Sequence, residues 1–88
     1  RSKEVVVSLA ENSPGTSRRH FHPGHSFGYI IPGSELTTID GEKPATGVAG
    51  EARHEGPGEI QESITSAPET VLWVRILEKG KDVTTYVP

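Results

Sequence analysis

Residues 19–33 read RHFHPGHSFGYIIPG and hold three of the four histidines of this 88-residue chain. The residue types around them are typical of β-strands. Side chains alternate between the two faces of a strand, so His20 and His22 share one face. Two imidazoles spaced in this way can bind a single metal ion. Pro23-Gly24 predicts a turn or bulge that can direct His25 or Ser26 toward the same centre.

Short strands and turns extend from this stretch over the whole chain. Ten glycines and seven prolines interrupt segments rich in Val, Ile, Thr and aromatic residues, which is typical of strands joined by turns. Asp40-Gly41 predicts a hairpin turn, because both residues tolerate tight β-turn geometry. The most apolar segment, 70–77, is predicted to be a central strand with Trp73 in the core. The predicted strands are 4–9, 18–22, 27–31, 35–39, 47–49, 52–55, 59–65, 70–77 and 83–87.

These elements predict a single all-β domain over residues 1–88, a sandwich or a barrel. Closed barrels are favoured because they leave no unpaired edge strands. A chain of this length removes only about 60–65% of its unfolded surface from water, so either marginal stability or added stability from a metal or a partner subunit is expected. The apolar run Val5-Val6-Val7 suits pairing with a neighbouring sheet, and we expect a homodimer. An ordinary core strand within one subunit is the alternative for this run.

Charge and composition argue against several classes of partner. The formal net charge is −3, from 9 basic and 12 acidic residues that are interspersed, which argues against nucleic acid and anionic membranes. No apolar run approaches the ~20 residues of a membrane span, and residues 1–11 lack the apolar stretch of a signal peptide, so a cytoplasmic location is expected. The chain has no cysteine, so a metal would be held by His, carboxylate, amide or water.

Two clusters in the sequence resemble the signature motifs of the cupin family. The first has a glycine, an H-x-H pair, a Pro-Gly and a closing glycine; the second, weaker cluster has two glycines and a glutamine. The resemblance covers residues 13–65. It implies a small jelly-roll β-barrel, the double-stranded β-helix, frequently dimeric, with Fe, Mn, Ni, Zn or Cu bound inside. The matching positions are Gly15, His20, His22, Pro23, Gly24, Gly33, Gly50, Gly58 and Gln61.

The resemblance implies a metal held by both histidines and a glutamate of the first motif and by a histidine of the second. His20 and His22 fit directly as ligands. Ser26 stands in the glutamate position and is a poor divalent-metal ligand, whereas Gln61 stands in the second-motif histidine position and offers an amide oxygen. A one-residue bulge would bring His25 into the glutamate position. Glu62 is a further substitute, although strict alternation points it to the opposite face.

The charged segment 51–55 offers candidate substrate contacts. Alternation places Arg53 and Glu55 on one face and His54 on the other. If His54 faces the interior, it is a candidate general acid or base; if Arg53 does, its guanidinium can bind a substrate carboxylate, with Ser26 as a further contact. A solvated edge strand is the alternative.

Two functions follow from the resemblance. One is a metal-dependent enzyme of dioxygenase, isomerase or lyase type, acting on a small oxygenated organic molecule. The other is a non-catalytic cupin that binds a small ligand or a partner through a degenerate metal site. The fold alone does not choose between them.

Overall fold

The computed structural model describes residues 2–88, which form ten β-strands and contain no helix. None of this part of the chain therefore forms a helix long and apolar enough to cross a membrane. The strands are β1 (Lys3–Asn12), β2 (Gly15–Thr16), β3 (His20–Phe21), β4 (His25–Ile30), β5 (Ser34–Ile39), β6 (Ala45–Val48), β7 (Ala52–Glu55), β8 (Gln61–Thr65), β9 (Glu69–Glu78) and β10 (Thr85–Tyr86).

The strands form two antiparallel sheets. The first, in the order β1-β9-β4-β7, has β1 at its free edge. The second runs β10-β3-β8-β5-β6, and β2 also pairs with β8. Strand β9 lies between β1 and β4, which confirms the prediction that segment 70–77 is central. The all-β prediction is also confirmed.

The hydrophobic core is small. Ile30, Val71 and Trp73 form its buried cluster, so the expected core position of Trp73 is confirmed. Gly28 on β4 lies against the indole ring, where an added Cβ would be 2.6 Å from the nearest ring carbon. Glycine is needed there because any larger residue would displace Trp73.

Two of the predicted turns fix the positions of neighbouring strands. At Asp40-Gly41 the amide of Glu42 donates to the carbonyl of Ile39 over 2.9 Å and Gly41 has a φ of 85°, so the predicted turn forms. The hairpin loop around it is longer than the predicted two residues, because the pairing of β5 with β6 begins only at Thr37 and Ala45. At Gly24 the chain passes so close to β9 that a Cβ would lie 1.9 Å from the carbonyl oxygen of Ile76. Strand β4 begins directly after that contact.

Candidate functional site

A cavity of about 630 Å³ opens between the inner faces of the two sheets. Its volume is within the range of pockets that hold small organic ligands. Its walls are largely polar and come from both sheets. They include His20, His22, Glu35, Glu55, Gln61, Trp73 and Arg75.

The two histidines of the H-x-H pair are held by backbone carbonyls. His20 Nδ1 lies 2.6 Å from the carbonyl oxygen of Arg18, and His22 Nδ1 lies 2.8 Å from that of Val83. A carbonyl oxygen can only accept, so each Nδ1 carries a proton, and in the neutral ring the lone pair is on Nε2. The ring centroids are 5.1 Å apart in an edge-to-face arrangement. Metal-binding histidines are commonly oriented by such a bond at the other ring nitrogen.

His22 is a neutral imidazole at physiological pH. Only 5% of the residue is exposed, and burial lowers its pKa from 6.5 to about 4. The hydrogen bond to Val83 acts in the opposite direction, whereas the positive charge of Arg75 and the neighbouring His20 lower the pKa further. Neutral imidazole is the form that binds metals.

Glu55 brings a buried carboxylate to the same wall. Its Oε1 lies 3.8 Å from His22 Nε2, the residue is 3% exposed, and within residues 2–88 this oxygen has no hydrogen-bond partner. Glu55 is on β7, directly opposite Ser26 of β4. The position where the resemblance expected a carboxylate thus holds a serine, and a carboxylate reaches the cavity from the adjacent strand.

Gln61 completes this group of polar side chains. It faces His20 across the β3–β8 pair and is 2% exposed, and its Nε2 has no partner within the described residues. As the structure stands, no three His, Cys, Asp or Glu side chains of residues 2–88 meet the geometry of a metal site. The cavity therefore offers two imidazole nitrogens, one carboxylate and one amide that converge only in part.

No family model matches the sequence, and no curated protein matches it. Several solved structures do match the fold. The DMSP lyase DddQ from Ruegeria pomeroyi DSS-3 gives a TM-score of 0.81 at 14% identity, over 94% of this chain and 43% of that one. A cupin superfamily protein from Desulfitobacterium hafniense DCB-2 gives a TM-score of 0.77 at 15% identity, over 89% of this chain and 72% of that one. A Klebsiella pneumoniae protein with a double-stranded β-helix domain gives a TM-score of 0.69 at 21% identity, over 96% of this chain and 75% of that one.

This chain has the cupin fold. The fold implied by the sequence motifs is therefore confirmed. At identities of 14–21% the likeness establishes the fold and not the activity. The chain also spans less than half the length of DddQ.

Two predicted site residues lie on the outer face of the sheet and not in the cavity. His25 and His54 are exposed on its outer face, where His25 Nδ1 lies 2.8 Å from His54 Nε2 and the rings stack at 5.1 Å. The bulge that would turn His25 inward does not form, because β4 alternates without interruption from His25 to Ile30. The placements of His25 beside His20 and His22, and of His54 in the interior, are therefore corrected.

Arg53 faces the interior but already has a carboxylate partner. Its Nη1 contacts Oε1 of Glu35, so the chain itself supplies the acid that we expected from a substrate. Burial raises the pKa of Glu35 to about 7. A hydrogen bond with Glu69 adds to this rise, and the Arg53 guanidinium opposes it.

Ser26 is fully buried and accepts a hydrogen bond of 2.6 Å from Nη1 of Arg75. The Arg75 guanidinium stacks over the Trp73 ring at 4.4 Å. Sequence reasoning missed both Arg75 and Glu55 as cavity residues. Alternation along β7 was the available signal for Glu55, because it put this residue on the same face as Arg53.

Proposed function

We propose that the chain is a metal-binding cupin whose barrel holds a divalent transition metal with His20, His22, Glu55 and Gln61. The observation that supports this most directly is the pair of acceptors His22 Nε2 and Glu55 Oε1, which face each other across 3.8 Å. Two buried lone pairs in this arrangement repel unless a proton or a metal cation lies between them, and burial lowers the pKa of His22 and so disfavours the proton. Donor atoms each about 2.0–2.2 Å from one ion are readily this far apart. His20 and Gln61 would close on the ion from the opposite sheet.

The chemistry of the donors fits such an ion. Two imidazoles with one carboxylate suit Fe(II), Mn, Ni, Zn or Cu, and the neutral amide oxygen of Gln61 is a weak fourth donor. This set leaves coordination positions for a substrate. A bound ion would polarise a substrate oxygen as a Lewis acid.

We further propose that the cavity binds a small oxygenated organic molecule and that the metal acts on it. The chain's own contribution is to orient the substrate against Trp73 and Arg75 and to exclude bulk water. DddQ, which shares the fold, is a lyase. The incomplete convergence of the ligands supports a second candidate, a barrel that binds a small molecule without turnover.

Metal content tests the proposal directly. We expect purified protein incubated with Zn²⁺, Mn²⁺ or Fe²⁺ and then desalted to retain close to one ion per chain by plasma mass spectrometry. His22→Ala and Glu55→Gln should each lose it, because each removes a proposed ligand. His25→Ala and His54→Ala are matched controls, since they remove imidazoles from the outer face. Loss of metal in the controls, or its retention in both cavity variants, would contradict this site.

We also propose that the chain forms a homodimer through the outer face of the β1-β9-β4-β7 sheet. The register aligns three cross-strand rows on this face, without any Asp, Glu, Lys or Arg. Most of their large apolar side chains are 37–63% exposed. The rows contain Val5, Val7, Leu9, Leu72, Val74, Ile76, Phe27 and Tyr29, together with Ala52, His25 and His54 at one side of the face.

A second copy is the partner that this face fits best. The exposed apolar side chains present on the order of 600 Å², close to the roughly 800 Å² that each partner contributes to a standard interface. An uncharged sheet face is complementary to itself about a two-fold axis. The small internal core gives a single chain little other apolar burial.

Light scattering on a sizing column tests this interface. The wild type should elute as a dimer and Val7→Lys as a folded monomer, because the new charge would be buried at the centre of the interface. Ile64→Lys places the same charge at an exposed site on the other sheet and should remain dimeric. A monomeric wild type, or the same oligomeric state in both variants, would refute this arrangement.

A further inference from the structure

Arg75 is a cation on the inner face of the barrel whose role the proposed metal site does not explain. It extends from β9 into the cavity wall, donates to Ser26 and stacks over Trp73. These two contacts fix the guanidinium in place. Neither of them neutralises its charge.

Arg75 lacks the internal carboxylate that Arg53 has. Arg53 is paired with Glu35, whereas within residues 2–88 no carboxylate oxygen lies within 4.0 Å of the Arg75 guanidinium. Glu55 is the acid whose negative charge stabilises the charged form of Arg75. A metal ion bound to Glu55 would compete for that negative charge. Arg75 is half-buried, and a partly desolvated charge without a paired carboxylate attracts an anion, so Arg75 in the metal-loaded barrel favours a bound anion.

We propose that Arg75 binds the carboxylate of a small 2-oxygenated acid, such as a 2-hydroxy acid, beside the metal. A guanidinium binds a carboxylate through two parallel hydrogen bonds, and Trp73 beneath it holds the guanidinium in one orientation. The oxygen next to the carboxylate would then lie toward His22 and Glu55. This assignment rests on the proposed metal site and adds to it the substrate class.

A second arginine supports an anionic ligand. Arg18 lines the same cavity, where its guanidinium lies 4.4 Å above the ring of Tyr86. Two guanidinium groups along one polar cavity raise the local concentration of small anions. Three acids also line this cavity: Glu35 is paired with Arg53, Glu55 is a proposed metal ligand, and Glu11 lowers the positive potential.

Tryptophan fluorescence provides the test, because Trp73 is the only tryptophan in the chain and lies under Arg75. Lactate is titrated into Zn²⁺-loaded protein at constant ionic strength, with lactamide as its uncharged counterpart. We expect a saturable change of emission with lactate and none with lactamide. Equal responses to both, or no saturable response to lactate, would overturn the assignment.

Variants show whether Arg75 is the residue that binds lactate. Arg75→Gln should raise the dissociation constant for lactate about 10- to 100-fold, the usual effect of losing hydrogen bonds to a charged group. Arg75→Lys keeps the charge, loses the paired geometry and should fall between wild type and Arg75→Gln, so it tests the proposal even if Arg75→Gln does not fold. Arg19→Gln is the matched control, because Arg19 pairs with Asp40 on the exposed surface. Unchanged affinity in both Arg75 variants would contradict the proposal.

Metal-free Glu55→Gln separates this proposal from the metal site. That variant removes the acid that acts on Arg75 without adding a metal, and it should bind lactate more tightly than metal-free wild type. Lactate binding to this variant would support Arg75 as an anion site even if the wild type retains no metal. Metal binding in the wild type without lactate binding in either protein would refute the carboxylate assignment alone.

Discussion

Glu35 is a buried acid whose protonation should make the stability of the protein depend on pH. Its pKa is raised from 4.5 to about 7, so the folded protein keeps a proton that the unfolded chain releases. This contribution to the free energy of unfolding is fully present below pH 4.5 and is lost as the pH rises to about 7. Relative to Glu35→Gln, the wild type should lose about 3 kcal/mol over that window.

Urea denaturation of both proteins between pH 4 and about 8 measures this difference. The depressed pKa of His22 gives the opposite trend, since its stabilisation is lost as the pH falls from 6.5 to about 4. That contribution is common to both proteins and cancels in the comparison. Parallel stability profiles for wild type and Glu35→Gln would show that Glu35 releases its proton equally readily in both states.

Single residues were predictable where one rule decided their position. Alternation placed His20 and His22 on one face, and the cupin resemblance directed attention to Gln61; all three line the cavity. The same rule, followed without the supposed bulge, would have placed His25 on the outer face. Alternation put Glu55 on the same face as Arg53, but its position beside His22 depends on the pairing of β7 with β4, which the sequence pattern does not give.

The C-terminal segment is an element that should control metal affinity. Val83 provides the carbonyl that fixes His22 Nδ1, and β10 pairs with β3 beside it. A chain ending at Asp82 loses both, so the His22 ring can rotate. Loss of such an orienting group typically costs 10- to 100-fold in metal affinity, and we expect a loss of about that size for Zn²⁺.

A competition titration with a chromogenic chelator measures this affinity. A chain ending at Tyr86 is the matched control, because it loses the hydrogen bond from Val87 to Arg19 but keeps β10 and the Val83 carbonyl. It should bind Zn²⁺ nearly as tightly as the full chain. Equal affinities for the chains ending at Asp82 and at Tyr86 would show that Val83 does not orient the ligand.

Among the elements, the long strands were easier to predict than the short ones. Segment 70–77 lies within β9 and segment 4–9 within β1, because apolar, β-branched runs identify strands whatever their partners. The predicted strands 18–22 and 83–87 shrink to β3 and β10, of two residues each. Their length is set by the pairing of two segments far apart in sequence, which composition does not encode.

At the scale of the whole molecule, a metal should have a large effect on thermal stability because the core is small. A ligand at 100 times its dissociation constant stabilises a protein by about 2.7 kcal/mol. For a domain of this size each kcal/mol corresponds to about 4–8 °C, so saturating Zn²⁺ should raise Tm by roughly 10–20 °C. Excess chelator should reverse the shift.

Calorimetry of variants shows whether Zn²⁺ bound inside the barrel or at the surface causes this rise in Tm. Protein concentration is held constant, since self-association also changes Tm. His22→Ala should show no shift with Zn²⁺, whereas His54→Ala, which breaks the exposed histidine pair, should shift as the wild type does. If His22→Ala were stabilised as much as the wild type while His54→Ala was not, Zn²⁺ would be bound by the outer histidines. The metal would then lie outside the barrel, and the interior would be left to bind its ligand through Arg75 alone.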